Sequence, residues 1–245
     1  MSLKNKLYKT IKTSDKTINN NRKKLKTISE INPTSLPREF YSVPCRELAD
    51  SLLGKLLLRK IDNVILKGRI VEVEMYPGGE DKASYSYNGR RTPTNVPMYM
   101  IPGTAFVYKT YGIYHCFNIS ALEEGGAILL RAVEPLEGIK EMQKYRSVRK
   151  KTPTKIQDLC KGPSNLCTSM CITKEICNKV DMAQSDVLWV ETDDFSNDFE
   201  IVRTSRIGID SAGIEWAGKP FRFYIKGNEY VSKRDLSKEK ELDDV

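Results

Sequence analysis

The chain has 245 residues, 40% of them hydrophobic and 29% charged, with a formal net charge of +8. That length supports one substantial core or two small ones, and one ordered domain is the expectation. No apolar stretch approaches the roughly 18 residues needed to span a bilayer and no secretory hydrophobic region stands at the start, so an intracellular protein without membrane contact is expected.

The charge is uneven along the chain. Residues 1–30 hold nine Lys/Arg against Asp15 and Glu30, a contribution of +7 that leaves +1 for all the rest. A nucleic-acid reading must therefore rest on placed residues and not on overall basicity. The Lys/Asn/Thr composition of residues 1–36 predicts a disordered basic leader. Arg22, Lys23 and Lys24 match a weak nuclear signal, and the scarcity of acids also fits an organelle transit peptide. Nuclear residence is the expectation for a eukaryotic source, with organelle targeting as the alternative.

Ser42-Val43-Pro44 opens a predicted helix over residues 45–53, with Leu48, Ala49, Leu52 and Leu53 on one face and Gly54 ending it. A strand is expected at 55–60. Residues 67–76 alternate, which puts Val71, Val73 and Met75 on one side and Glu72, Glu74 and Tyr76 on the other. Residues 78–102 read as a long polar loop carrying Arg90 and Arg91. A hairpin follows, with strands at 106–110 and 114–120 and Tyr111-Gly112 at or near its tip. Another buried strand spans 127–133. Pro135 precedes a helix near 138–146, residues 150–158 form a basic connection, and residues 164–172 after Gly162-Pro163 form a capped helix. Residues 221–231 close with strand character, and residues 236–245 form a charged tail. There is no internal repeat and no good domain boundary after residue 36. Helices mixed with mostly antiparallel strands make an α+β domain over 37–235.

Six cysteines without an extracellular address read as reduced thiols. Cys160, Cys167, Cys171 and Cys177 give C-x6-C-x3-C-x5-C, one residue too long in the middle gap for a known cubane iron–sulfur ligand loop. The one histidine, His115, lies on a strand beside Phe117 and is expected to pack rather than ligate. No metal and no cofactor are expected.

The informative run is 70–131, where carboxylates, tyrosines, arginines and an asparagine surround strand-like segments. Such groups have the means to bind a flat aromatic ring, grip phosphates and activate a water. Six ordered blocks, VEVEMYPGGEDKAS, NGRRTPTN, PGTAFVYKTYGIYHCFNIS, LLRAVEPLEG, DLCKGPSNLC and EWAGKPFRFYIKG, resemble the alkyladenine (3-methyladenine) DNA glycosylase family over roughly residues 37–235. The resemblance implies a single compact domain with a curved, mostly antiparallel sheet, flanking helices and a DNA-inserting β-hairpin. Its implied activity is to flip alkylated or deaminated purines out of duplex DNA and hydrolyse the N-glycosidic bond, leaving an abasic site, without metal or cofactor. The partner is then duplex DNA containing damaged purines, and a monomer is the expectation.

Carried over residue by residue, the resemblance makes Glu74 the general base for water, a role that suits a carboxylate because the sugar becomes oxocarbenium-like as the base leaves. The ordinary reading of such a residue is a solvated strand carboxylate, and that is the expectation for Glu72. Tyr76 and Tyr108 would sandwich the flipped base, against the plainer reading of aromatic core packing. Tyr111 would wedge into the vacated space from the minor groove, where otherwise it is a surface turn residue. Asn118 resembles the residue that excludes the 2-amino group of guanine, and Arg131 an arginine near the water and the flanking phosphate. The plainer alternatives are a strand-end cap for Asn118 and an ion pair with Glu134 or Glu123 for Arg131. Arg90, Arg91, Lys161 and Ser164 are weaker candidates for phosphate contacts.

One position departs from the pattern. The family commonly has histidine in its EDxAxH block, and this chain has Tyr85 in EDKASY. A tyrosine keeps a stacking face in the base pocket but not imidazole chemistry, so the lesion spectrum is expected to shift among alkylated and deaminated purines. The main alternative is a catalytically weak damaged-DNA-binding protein of the same fold. A strand-cutting lyase using a Schiff base on Lys109 is another, and a zinc nucleobase deaminase lacks its H-x-E and P-C-x-x-C groups.

Overall fold

The computed structural model describes residues 34–148, 153–193 and 198–243. Along the chain these form α1 (Arg38–Tyr41), α2 (Cys45–Leu52), β1 (Leu56–Ile61), β2 (Val64–Tyr76), β3 (Ala105–Thr110), β4 (Tyr114–Ser120) and β5 (Ala127–Glu137). Then come α3 (Ile139–Ser147), α4 (Pro163–Ser169), α5 (Lys174–Cys177), β6 (Leu188–Glu191), β7 (Ile201–Thr204), α6 (Ile214–Gly218), β8 (Arg222–Ile225) and α7 (Leu236–Asp243).

The strands make one antiparallel sheet in the order β3-β4-β5-β2-β1-β6, and the fold is α+β as expected. The centre is β2, whose 13 residues outrun any single partner on one of its edges. β5 runs along one side of it. The other side is divided: β1 pairs with Val64 to Arg69, while β8 pairs with Glu72 to Glu74 and carries β7 beyond it. Val71, Val73 and Met75 face the main core with Leu48, Ala49 and Leu52 of α2 and Leu130 of β5. Glu72 and Glu74 face the opposite way, as period-two alternation requires, yet both are 0% exposed. The expectation of a solvated Glu72 is therefore wrong, because β8 and the segments flanking it cover that half of β2.

Several boundaries differ from the sequence reading. Pro135 lies inside β5, which runs to Glu137, and the expected helix follows it as Ile139–Ser147. It sits opposite Gly68, where the ladder shifts register, the kind of irregularity at which a strand accommodates proline. The 78–102 loop contains two short 3-10 turns, Tyr87–Gly89 and Val96–Tyr99. The expected strand at 221–231 is only Arg222–Ile225, and the expected helix at 164–172 is Pro163–Ser169. Leu236–Asp243 forms α7, started by Asp235, whose carboxylate accepts from the Lys238 amide at 3.3 Å and the Ser237 hydroxyl at 2.7 Å. The proposed leader lies outside the described residues except for 34–36, where the Leu36 amide donates to the Val190 carbonyl at the sheet edge. Residues 150–152 of the 150–158 connection also lie outside them, and Ile156–Asp158 forms a 3-10 turn.

The β3–β4 hairpin turns through Tyr111 and Gly112, at φ 51° and 70°. At Gly103 the chain runs so close to α1 that a Cβ would meet the Tyr41 ring at 2.8 Å, with φ at +83°, so only glycine fits there.

Candidate active site

The site is built on the outward face of β2. Glu74 Oε1 accepts from the Ile207 amide at 2.8 Å and lies 3.1 Å from Arg131 Nη1. Its Oε2 accepts from the Tyr76 hydroxyl at 2.9 Å. Burial, and next the adjacent Glu74 charge, hold the Tyr76 hydroxyl well above its ordinary pKa, so it remains a donor.

Arg131 reaches this position through an irregularity in the ladder. Glu72 pairs with Ala132 and Val73 with Leu130, which leaves Arg131 without a register partner on β2. A bulge of this kind re-aims the side chain it carries. Burial works against the guanidinium charge, but Glu74 and then Glu72 outweigh it and the Arg131 pKa is raised. Neither Glu134 nor Glu123 is its partner: Glu134 pairs with Arg69, and Glu123 accepts from the Cys45 amide.

In front of these groups opens a cavity of about 360 Å³ lined by Tyr76, Tyr85, Tyr108, Asn118, Arg131 and Tyr111, with Ser164 at α4 and Ile207, Gly208 and Ile209 on the facing wall. Seven residues singled out in the sequence thus meet at one place. Glu74 does not line it; the carboxylate sits directly behind Tyr76, Arg131 and Ile207 and is fully buried. The Tyr85 and Tyr108 rings lie 4.8 Å apart, and Phe106 packs 5.1 Å from Tyr108. Burial raises the Tyr108 hydroxyl far above its usual range and also raises Tyr85 and Cys116. Asn118, 5% exposed, spends its amide N–H on the Phe106 carbonyl at 3.2 Å. Tyr111 is 90% exposed at the hairpin tip.

The weaker candidates fare unevenly. Arg91 pairs with Glu124 and stacks 3.8 Å over the Tyr99 ring, Arg90 is exposed outside the cavity, and Lys161 donates to the Glu229 carbonyl at 3.0 Å. Cys160, Cys167 and Cys177 are buried free thiols, and burial pushes Cys160 up to about 12. Among the described residues no group of three or more His, Cys, Asp or Glu is arranged to hold a metal, and no helix is long and apolar enough to cross a membrane.

Three contributors were not singled out from sequence. Ile207 acts through its backbone amide, which no side-chain type announces. Asp81 and Arg206 form an ion pair at 2.6 Å with no solvent exposure, and the Arg206 guanidinium lies 4.6 Å from the Tyr76 ring centroid, on the ring that caps Glu74. The E-D-K-A-S-Y run stands out by its Tyr85, while the buried partner of its aspartate lies 125 residues away.

The sequence profile of methylpurine-DNA glycosylases matches residues 39–229. The chain is 48% identical over 201 residues to a probable DNA-3-methyladenine glycosylase of Encephalitozoon cuniculi, covering 81% of this chain and 94% of that one. It is 44% identical over 208 residues to the DNA-3-methyladenine glycosylase of Homo sapiens, covering 82% and 69% respectively. A putative 3-methyladenine DNA glycosylase of Clostridium botulinum is 45% identical over 204 residues, covering 81% and 99%. With a matching profile over most of its length and relatives this similar, the chain belongs to the methylpurine-DNA glycosylase family.

Proposed function

We propose that this protein is a DNA-3-methyladenine glycosylase of base excision repair, a hydrolase that takes modified purines from duplex DNA and leaves an abasic site. The observation that carries the mechanism is the placement of Glu74 behind the wall of an aromatic cavity, with Tyr76, Arg131 and the Ile207 amide as its hydrogen-bonding and ionic partners.

The flipped purine enters between Tyr76 and Tyr108, whose faces favour electron-poor alkylated rings. Asn118, fixed on the Phe106 carbonyl, disfavours the 2-amino group of normal guanine. Tyr111 fills the stack that the nucleotide leaves. Glu74 Oε2 makes a single hydrogen bond and keeps acceptor capacity for a water proton. As the N-glycosidic bond breaks, the bond electrons leave with the base, the water oxygen bonds C1′, and Glu74 takes the water proton. Its negative charge also stabilises the oxocarbenium-like sugar. Arg131 holds Glu74 in place and faces the cavity, where a flanking phosphate is its partner. The protein works as a monomer on DNA, in the nucleus where the source is eukaryotic, with residues 37–235 as the glycosylase domain.

The test is single-turnover release of 3-methyladenine, 7-methylguanine, hypoxanthine and ethenoadenine from duplex DNA by the parent and by Glu74→Gln. Release by the parent, lost in Glu74→Gln with DNA binding retained, supports the assignment. Damaged DNA bound with no base released would instead make it a damaged-DNA-binding protein.

A further inference from the structure

Glu72 shares the outward face of β2 with Glu74 but takes no part in lining the cavity, and it is 0% exposed. A buried carboxylate is costly unless it is paired and hydrogen-bonded. Glu72 meets that condition with three hydrogen bonds and one further ionic contact. Its Oε2 accepts from the Ser232 amide at 2.7 Å, and its Oε1 accepts from the Ser232 hydroxyl at 2.9 Å and from Arg222 Nη1 at 2.9 Å. Arg131 Nε lies 3.4 Å from the same Oε1, an ionic contact without hydrogen-bond geometry.

Arg131 is thus strung between two carboxylates. Its Nη1 touches Glu74 Oε1 while its Nε is drawn toward Glu72. A guanidinium facing one carboxylate alone tends to close on both oxygens as a fork. On Glu74 that closure would occupy Oε2, the oxygen that keeps acceptor capacity for water.

We propose that Glu72 is a positioning residue for base excision: it restrains Arg131 to a one-point contact with Glu74 and so keeps Glu74 Oε2 open to the attacking water. This rests on the roles given above to Glu74 and Arg131. Arg222 extends the restraint to the facing wall, since its Nε also donates to the Ser205 carbonyl at 2.9 Å, two residues before the Ile207 amide that binds Glu74. The local charges balance as two carboxylates, Glu72 and Glu74, against two guanidiniums, Arg131 and Arg222.

The experiment is a double-mutant cycle on the full-length chain, read as the single-turnover excision rate at saturating protein and as affinity for duplex DNA carrying an abasic analogue. Glu72→Gln keeps the shape and an acceptor for Ser232 while removing the charge. It should slow excision at least about tenfold with affinity kept within about twofold, and in an Arg131→Gln background it should slow it by less than about twofold. Glu72→Asp should recover part of the loss. Equal falls in both backgrounds, or a folded Glu72→Gln protein at the parental rate, overturn the proposal. Where Glu72→Gln does not fold, Ser232→Ala, which removes only one donor, takes its place: a fall confined to the Arg131 background supports the proposal, and equal falls or no fall overturn it. Full excision by Glu74→Gln or Arg131→Gln would defeat the parent reading instead, so the two failures are separable.

Discussion

The Ile207 amide donates to Glu74 Oε1 at 2.8 Å across 133 residues of chain. The residue before it, Arg206, is clamped by Asp81 through two hydrogen bonds of 2.6 and 2.8 Å and reaches the Met75 carbonyl at 3.2 Å. A buried ion pair between the pocket loop and the facing wall therefore sets where that amide points. Removing one partner leaves the other charge buried and alone, so Asp81→Asn should cost about 3–5 kcal/mol of stability. Denaturant titration should show a lower midpoint at unchanged slope. The folded fraction should also excise more slowly than the parent. A variant with an unmoved midpoint would mean that the pair contributes nothing net.

Tyr111 occupies a left-handed conformation that suits Asn better than a bulky side chain, and it is 90% exposed. Tyr111→Asn should therefore leave thermal stability equal to the parent or raise it by up to about 1 kcal/mol. Excision should nevertheless fall by about 100-fold, since the unstacked duplex loses the group that fills its hole. A thermal midpoint that drops together with activity would show a packing role in place of insertion.

The alternation over 67–76 was enough to place Glu72, Glu74 and Tyr76 on one face, because side-chain direction in a strand is local. Whether that face meets water is not local, and so the expectation for Glu72 fails: β8 and Ser232, the latter 160 residues further on, bury it. Arg131 was legible as a residue type in AILLR, but its aim comes from a register shift that depends on β2 and β5 together. The Ile207 amide carries no side-chain signature at all. The α7 start was in plain view as Asp235 before a Leu-Ser-Lys-Glu run, and the high charge of the segment masked it.

The α7 end should open in acid. Asp235 is held below the usual carboxylate range by the Thr204 hydroxyl first and then Ser237, and Glu239 is held below it chiefly by Arg234. A lowered folded value means that the stabilisation is complete above the ordinary carboxylate range and is lost as pH falls through the folded value. Protection of α7 amides, corrected for intrinsic exchange rates, should decline below about pH 4 while the β2–β5 ladder stays protected. In Glu239→Gln the α7 protection should already be reduced at pH 7 and should change less on acidification. An acid decline as steep as the parent's would remove Glu239 from the account.

Tyr85 stands where the family commonly has histidine, with its ring 4.8 Å from Tyr108 and its hydroxyl kept protonated by burial first. A phenol gives one donor and acceptor at fixed charge, whereas an imidazole in that place titrates near neutral pH. Tyr85→His should therefore keep excision but change the ratio of rates among 3-methyladenine, hypoxanthine and ethenoadenine. That ratio should also acquire a dependence on pH between about 6 and 7.5 that the parent lacks. Tyr85→Ala should slow every base by about 10-fold or more, as loss of a stacking face acts without regard to base edge. The measurement is single-turnover release of each base across that pH range. Identical ratios in parent and Tyr85→His would place Tyr85 outside lesion selection, and its half-exposed position at the cavity mouth would then serve entry alone.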